Sequence, residues 1–309
     1  MGDNDQIDIY RFNTKAKIDK QKIFIIIIII IALICAIIIK NNINKTIKEY
    51  KVYKQYESQL QALEQQKIEK EKIKEEQEKK AEEERLAKLP KLTDEGRKNI
   101  ENIYKSETKR AFLTFDDGPS SVTPRILDIL KEKNVKATFF VLGSMVESRP
   151  EMVKRIYEEG HFIASHGYSH VYSQIYSSPQ AVLDEYNLSM EKIRQALGIN
   201  EYNAHLFRYP GGLPGGKYAD VKKQAKDLLS QNEIVTVDWN CLSGDAETND
   251  LSVEFELQRI NETSENKNSI VVLMHDAPAK SVTADSLLQI IDLLKEKGYE
   301  FKNFYEIIK

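Results

Sequence analysis

Every residue from Ile23 to Ile39 is apolar, and seven consecutive isoleucines, Ile25 to Ile31, lie inside the run. A buried strand takes about 4–8 residues, so this 17-residue run is too long to be one. As a helix rising about 1.5 Å per residue it covers roughly 25 Å, the short end of what crosses a bilayer. A secretory signal has an apolar region of about 7–15 residues and a small-residue cleavage site; here Ile37, Ile38, Ile39 and Lys40 follow instead. A retained single-pass transmembrane helix over 23–39 is expected, with 1–22 as a cytoplasmic tail. Arg11, Lys15, Lys17, Lys20 and Lys22 precede the span and Lys40, Lys45, Lys48, Lys51 and Lys54 follow it. The positive-inside bias therefore leaves orientation open.

Residues 40–108 read as a charged helical stalk. Between 67 and 88, 16 of 22 residues are charged, both signs are interspersed, and Gly and Pro are absent. Glu75 with Lys79 and Glu76 with Lys80 have the favourable i,i+4 order, and Pro90 marks a stop. Ile43, Ile47 and Tyr50 begin a heptad-like stripe, but Lys54, Glu57, Gln61 and Glu64 take its next positions. A sustained coiled coil is thus disfavoured and a solvated single helix expected from Ile43 to Leu89. The formal net charge of −3 gives no basic field for nucleic acid. Two cysteines, Cys35 in the apolar run and Cys241, are too few for a disulfide framework or a thiolate-rich zinc site.

From Lys109 the texture changes. Strands are expected at Ala111–Phe115, Ala137–Leu142, Phe162–Ser165, Leu206–Tyr209, Ile234–Val237, Ile270–Met274 and Glu300–Phe304. Helices are expected between them, at Pro124–Lys133, Glu151–Glu159, Pro179–Leu197, Tyr218–Gln231, Val253–Thr263 and Ala284–Lys297. That alternation predicts a parallel α/β domain over 109–309, and about seven strands in some 200 residues favour barrel-like closure. Chemistry in such barrels sits where strands end.

Five of these strands end in ionisable groups: Asp116 and Asp117, then His166 and His170, then Arg208, then Asp238, then His275 and Asp276. Alone, an Asp-Gly is usually a turn and a histidine usually a satisfied structural residue. Together they make a site. His166 and His170 with one carboxylate form a two-His, one-carboxylate set that leaves room for water, the catalytic metal pattern. Of the adjacent pair Asp116 and Asp117, one can bind a cation and the other act as a base, while His275 can protonate a leaving amine.

These residues resemble a known family. Thr114-Phe115-Asp116-Asp117-Gly118, His166-Gly167-Tyr168-Ser169-His170, Arg208-Tyr209-Pro210-Gly211-Gly212, Asp238-Trp239 and Leu273-Met274-His275 are similar to the five ordered motifs of polysaccharide deacetylases, the NodB-homology domain of carbohydrate esterase family 4. Lys136 to Gly143 is similar to the family's second strand. The resemblance spans roughly 110–309 and implies a distorted (β/α)7–8 barrel. It implies that Asp117, His166 and His170 hold one divalent metal ion, zinc first, with cobalt, nickel or manganese as alternatives. It makes Asp116 the general base, His275 the general acid and Arg208 the residue that orients Asp116. The Gly211 N–H would stabilise the oxyanion, and Trp239 and Leu273 would border the acetyl methyl. Asp238 is expected to pair with His275, with Asp245 as the alternative, because a second Asp-Trp pair found in many members is missing after Asp238.

The implied reaction is hydrolysis of an N-acetyl group from an amino sugar, releasing acetate and a free amine. Anchor and spacer lead us to expect the enzyme at the cell membrane with its catalytic domain outside. The expected substrate is then a cell-wall glycan, peptidoglycan N-acetylglucosamine. Alternatives are N-acetylmuramic acid, an exopolysaccharide, chitin-like oligomers, acetyl-xylan, or an inactive binding module. Nucleic acid is not an expected partner. Nor is nucleotide: Gly211 to Lys217 imitates a phosphate loop, but Tyr218 stands where Ser or Thr should bind magnesium. His161 and His205 are expected to be structural.

Overall fold

A computed structural model describes residues 20–309, so most of the expected 1–22 tail lies outside the described residues. The chain divides into two compact units, Met1–Glu82 and Glu83–Lys309. The first is built on helix α1 (Lys20–Ala87), which buries none of its residues. Among the described residues it is the one helix long and apolar enough to cross a membrane by length and composition. Isoleucine is a middling helix former in water; in hydrocarbon a helix satisfies every backbone group within one segment. The charged half continues in the same helix, and the stop comes at Ala87, two residues before the expected Leu89.

The second unit runs α2 (Asp94–Glu101), β1 (Arg110–Asp116), α3 (Thr123–Glu132), β2 (Thr138–Val141), α4 (Gly143–Ser148), α5 (Pro150–Glu158), β3 (Phe162–Ser165), α6 (Tyr172–Ile175) and α7 (Pro179–Leu197). It continues with β4 (Leu206–Phe207), α8 (Ala219–Gln231), β5 (Val235–Thr236), β6 (Cys241–Leu242), α9 (Val253–Thr263), β7 (Ser269–His275), α10 (Ser281–Glu296), β8 (Glu300–Lys302) and α11 (Tyr305–Ile308). Local chemistry explains the sharper boundaries. Ser178 caps α7 by accepting from the Ala181 N–H, Pro179 opens it, and Gly198 closes it at φ +69°.

All pairings are parallel, in the order β5-β4-β3-β2-β1-β7-β6, with β8 added beside the first half of β1. β1 pairs β7 along its whole length, from Arg110 opposite Ser269 to Asp116 opposite His275. β5 and β6 end the path, so the sheet is an open, curled barrel. The curl is visible in one contact. β4 stands three strands from β1, about 14 Å away in a flat sheet, yet Arg208 at the end of β4 bonds Asp116 at 2.8 Å. Buried aromatics fill the interior, with Phe115 stacked on Phe139 and Phe112 on Phe304. The expected architecture is therefore present. β6, absent from the sequence expectation, is only two residues long and carries no periodicity to find.

Candidate active site

The residues flagged at strand ends converge on one face of the barrel. Asp116 closes β1 in a fully buried position. Its Oδ1 accepts from Arg208 Nη1 at 2.8 Å, and its Oδ2 lies 3.8 Å from His166 Nε2. Burial pushes the Asp116 carboxyl up, and Arg208 and His275 pull it back. Asp117 follows with φ +74°, which turns its carboxylate away from the strand direction. Its Oδ1 lies 3.6 Å from His166 Nε2 and 3.4 Å from His170 Nε2.

Arg208 is fully buried and uses most of its donors. Nη1 donates to Asp116 and to Thr114 Oγ1 at 2.6 Å, Nη2 to the Asp238 carbonyl at 3.1 Å, and Nε to the Val237 carbonyl at 3.4 Å. Its guanidinium also lies 4.0 Å from the Phe140 ring centre. Its backbone carbonyl accepts from His166 Nδ1 at 2.9 Å. One residue therefore holds both a candidate base and a candidate metal ligand.

His275, at the end of β7, departs from expectation in its partner. Its Nδ1 lies 2.8 Å from Asp245 Oδ1, and its backbone N–H donates to Asp245 Oδ2 at 2.7 Å. Burial is the largest single influence and opposes the imidazolium. The Asp245 hydrogen bond and charge, with the charges of Asp116 and Asp117, outweigh it and push His275 up to about 9. Asp238 is not the partner. Both of its carboxylate oxygens accept from the Leu213 N–H, at 3.1 and 3.2 Å, so it braces the loop after Arg208. The physical reason is β6: Leu242 pairs with Leu273 of β7, which brings Asp245 beside His275, whereas Asp238 follows β5 at the other end of the sheet path.

Gly211 sits at φ +72°, and a Cβ there would lie 2.5 Å from Tyr172 Oη. Among the described residues no group accepts from its N–H. Trp239 packs partly buried against the core and Leu273 is buried on β7.

Comparisons with known proteins identify the family. A polysaccharide deacetylase family model matches residues 104–229. A peptidoglycan-N-acetylglucosamine deacetylase of Bacillus cereus is 33% identical over 204 residues, covering 65% of this chain and 71% of that protein. The chain belongs to the polysaccharide deacetylase family. A CE4 esterase of Streptococcus mutans superposes with a TM-score of 0.61 at 32% identity, over 67% of this chain and 90% of that one. The catalytic domain of a peptidoglycan N-acetylglucosamine deacetylase from Eubacterium rectale gives 0.59 at 33% identity, over 64% and 90%. This polysaccharide deacetylase is a hydrolase acting on carbon–nitrogen bonds.

The Asp117, His166 and His170 side chains of the deacetylase suit a cation, their ligand atoms lying within 4.8 Å of one another. The Arg208 carbonyl can only accept, so His166 Nδ1 carries the hydrogen and Nε2 presents a lone pair. Burial holds this imidazole neutral, pushing it down to about 3. The facing Asp117 Oδ1 is buried and has no hydrogen-bond partner. Lone pairs on nitrogen and oxygen thus face each other, an arrangement that a bound cation would satisfy.

The sequence reading did not single out Glu185. From α7 its carboxylate accepts from the Tyr168 N–H at 2.6 Å, the Ser169 N–H at 2.8 Å and Ser169 Oγ at 2.6 Å. It holds the loop between the two histidines, and a lone helical glutamate gave no signal of that. His161 and His205 are structural, as expected: His161 Nδ1 accepts from the Ala137 N–H at 3.1 Å, and His205 Nδ1 lies 2.9 Å from the Glu233 carbonyl.

Proposed function

We propose that this deacetylase removes N-acetyl groups from the N-acetylglucosamine of peptidoglycan. One observation carries the reading: three candidate metal ligands converge beside an arginine-held carboxylate, with a carboxylate-held histidine on the neighbouring strand. The Bacillus cereus and Eubacterium rectale relatives, both named for that substrate, support the choice of sugar. Asp117, His166 and His170 would hold one divalent cation, zinc in our reading; a cation bound there acidifies water and polarises a carbonyl oxygen.

The chain's own residues supply the proton transfers. Asp116 takes the proton of water at Oδ2, since Arg208 occupies Oδ1. The Gly211 N–H donates to the oxyanion that forms as the acetyl carbon becomes tetrahedral. His275 gives its Nε2 proton to the sugar nitrogen as the C–N bond breaks, while Asp245 fixes Nδ1 and stabilises the charged ring. Trp239 and Leu273 border the acetyl methyl. Acetate and a free amine leave.

In the same reading residues 23–39 of α1 span the membrane and 40–108 act as a spacer. The 109–309 domain then faces the wall from outside. Purified full-length protein loaded with zinc should release acetate from wall fragments, and chelation or Asp116→Asn should abolish release. Release from chitin oligomers or acetyl-xylan but not from peptidoglycan overturns the substrate. No release from any acetylated glycan overturns the activity. On intact cells external protease should cleave the catalytic domain; cleavage only after lysis overturns the topology.

A further inference from the structure

Behind Asp245 lies a second buried carboxyl that none of the roles above uses. Glu256, on the inner face of α9, is fully buried, as are Thr283 and Ser286 of α10. Ser286 Oγ donates to Glu256 Oε2 at 2.5 Å. Thr283 Oγ1 lies between the two carboxyls, 3.0 Å from Asp245 Oδ2 and 3.4 Å from Glu256 Oε1. Thr283 has one proton. Were both carboxyls ionised, that proton could serve only one: given to Asp245 it leaves Glu256 Oε1 buried without a donor, and given to Glu256 it leaves a hydroxyl lone pair facing Asp245 Oδ2 at 3.0 Å. A proton on Glu256 Oε1 resolves the conflict: Glu256 donates to Thr283, Thr283 donates to Asp245, and Asp245 accepts from His275.

We infer that Glu256 is a positioning residue for the general acid, held as a neutral carboxylic acid that orients Asp245 through Thr283. This rests on the reading of His275 as the acid. A second negative charge behind Asp245 would bind the His275 proton too tightly for transfer to an amine. A neutral donor spreads the Asp245 charge and leaves its geometry fixed. Among the described residues, the charged groups around Glu256 are few. Asp245 faces it from the loop after β6 with His275 beyond, and Lys280, ahead of α10, donates to the Asp245 carbonyl. α10 presents the two hydroxyls, and Arg259, further along α9, is engaged with Glu247 and Glu262. Burial first, and then the Asp245 charge, push the Glu256 carboxyl up to about 7.

The test is an NMR titration of the His275 imidazole in the full chain, together with kcat and KM for acetate release. Glu256→Gln offers a neutral amide donor to Thr283, so the His275 titration should stay as in the wild type. Thr283→Val removes the link and concentrates the Asp245 charge, so the His275 pKa should rise by about half a unit to one unit. In that variant kcat should fall about tenfold with KM unchanged, and Thr283→Ser should restore both. A Glu256→Gln variant whose His275 pKa shifts overturns the inference, as does a Thr283→Val variant whose His275 titrates normally. If Thr283→Val does not fold, Glu256→Gln alone still decides. Full activity in His275→Gln would sink the acid assignment and leave the titration result standing, so the two failures are separable.

Discussion

Replacing Asp245 by Asn removes one charge and tests how the acid is kept protonated. In the wild type His275 sits at about 9 although its ring is largely buried, against an ordinary histidine near 6.5. The difference of about 2.5 units is worth roughly 3.4 kcal/mol. The ring is only 13% exposed, so solvent screening discounts this little. Asn can still accept from Nδ1 but leaves burial opposed only by the charges of Asp116 and Asp117. The His275 pKa should then fall to about 6.5 or lower. At pH 7.5 the protonated fraction drops from about 97% to about 9%, a loss of about tenfold in rate. The alkaline limb of the kcat profile, measured by acetate release from pH 5 to 10, should move down by about 2.5 units. Asp238→Asn should leave that limb in place, because its carboxylate holds Leu213. An unmoved limb in Asp245→Asn, or a moved one in Asp238→Asn, refutes the assignment. The stability consequence has a definite sign. A histidine whose folded pKa is raised contributes stabilisation that is complete below about 6.5 and lost as pH rises through about 9. Melting temperatures of wild type and Asp245→Asn should converge between pH 7 and 10.

Arg208→Met leaves Asp116 buried without its hydrogen-bonded guanidinium partner and should cost about 3–5 kcal/mol in urea unfolding. Acetate release should disappear with it. Gly211→Ala pushes a methyl onto Tyr172 Oη at φ +72°; kcat should drop about 10- to 100-fold, measured by acetate release, with partial recovery when Tyr172→Phe is added. Glu185→Ala frees the loop between His166 and His170 and should weaken zinc binding about 10- to 100-fold by calorimetric titration.

Much of the site was legible because strand ends carry ionisable residues in fixed order. Phe162–Ser165, Pro179–Leu197 and Val253–Thr263 were placed with their observed bounds, since apolar runs and Ser-Pro or Ser caps mark them. What the sequence hid are relations set by register. The sequence favours Asp238 over Asp245 as the partner of His275, and only the two-residue β6, by its pairing with Val272 and Leu273, brings Asp245 there instead. Glu185 and Glu256 read as ordinary polar positions on helices until packing turns one onto a loop and buries the other. The two candidate ligand histidines needed no such help, because His166 and His170 lie four residues apart on one loop.

Arg208 grips the proposed base with its side chain and a proposed ligand histidine with its carbonyl. Any small drift of β4 therefore carries Asp116 and His166 in phase, like two arms on one pivot. Their separation is insulated from breathing of the open barrel. Movement elsewhere around the rim then leaves the spacing of these two groups as it is.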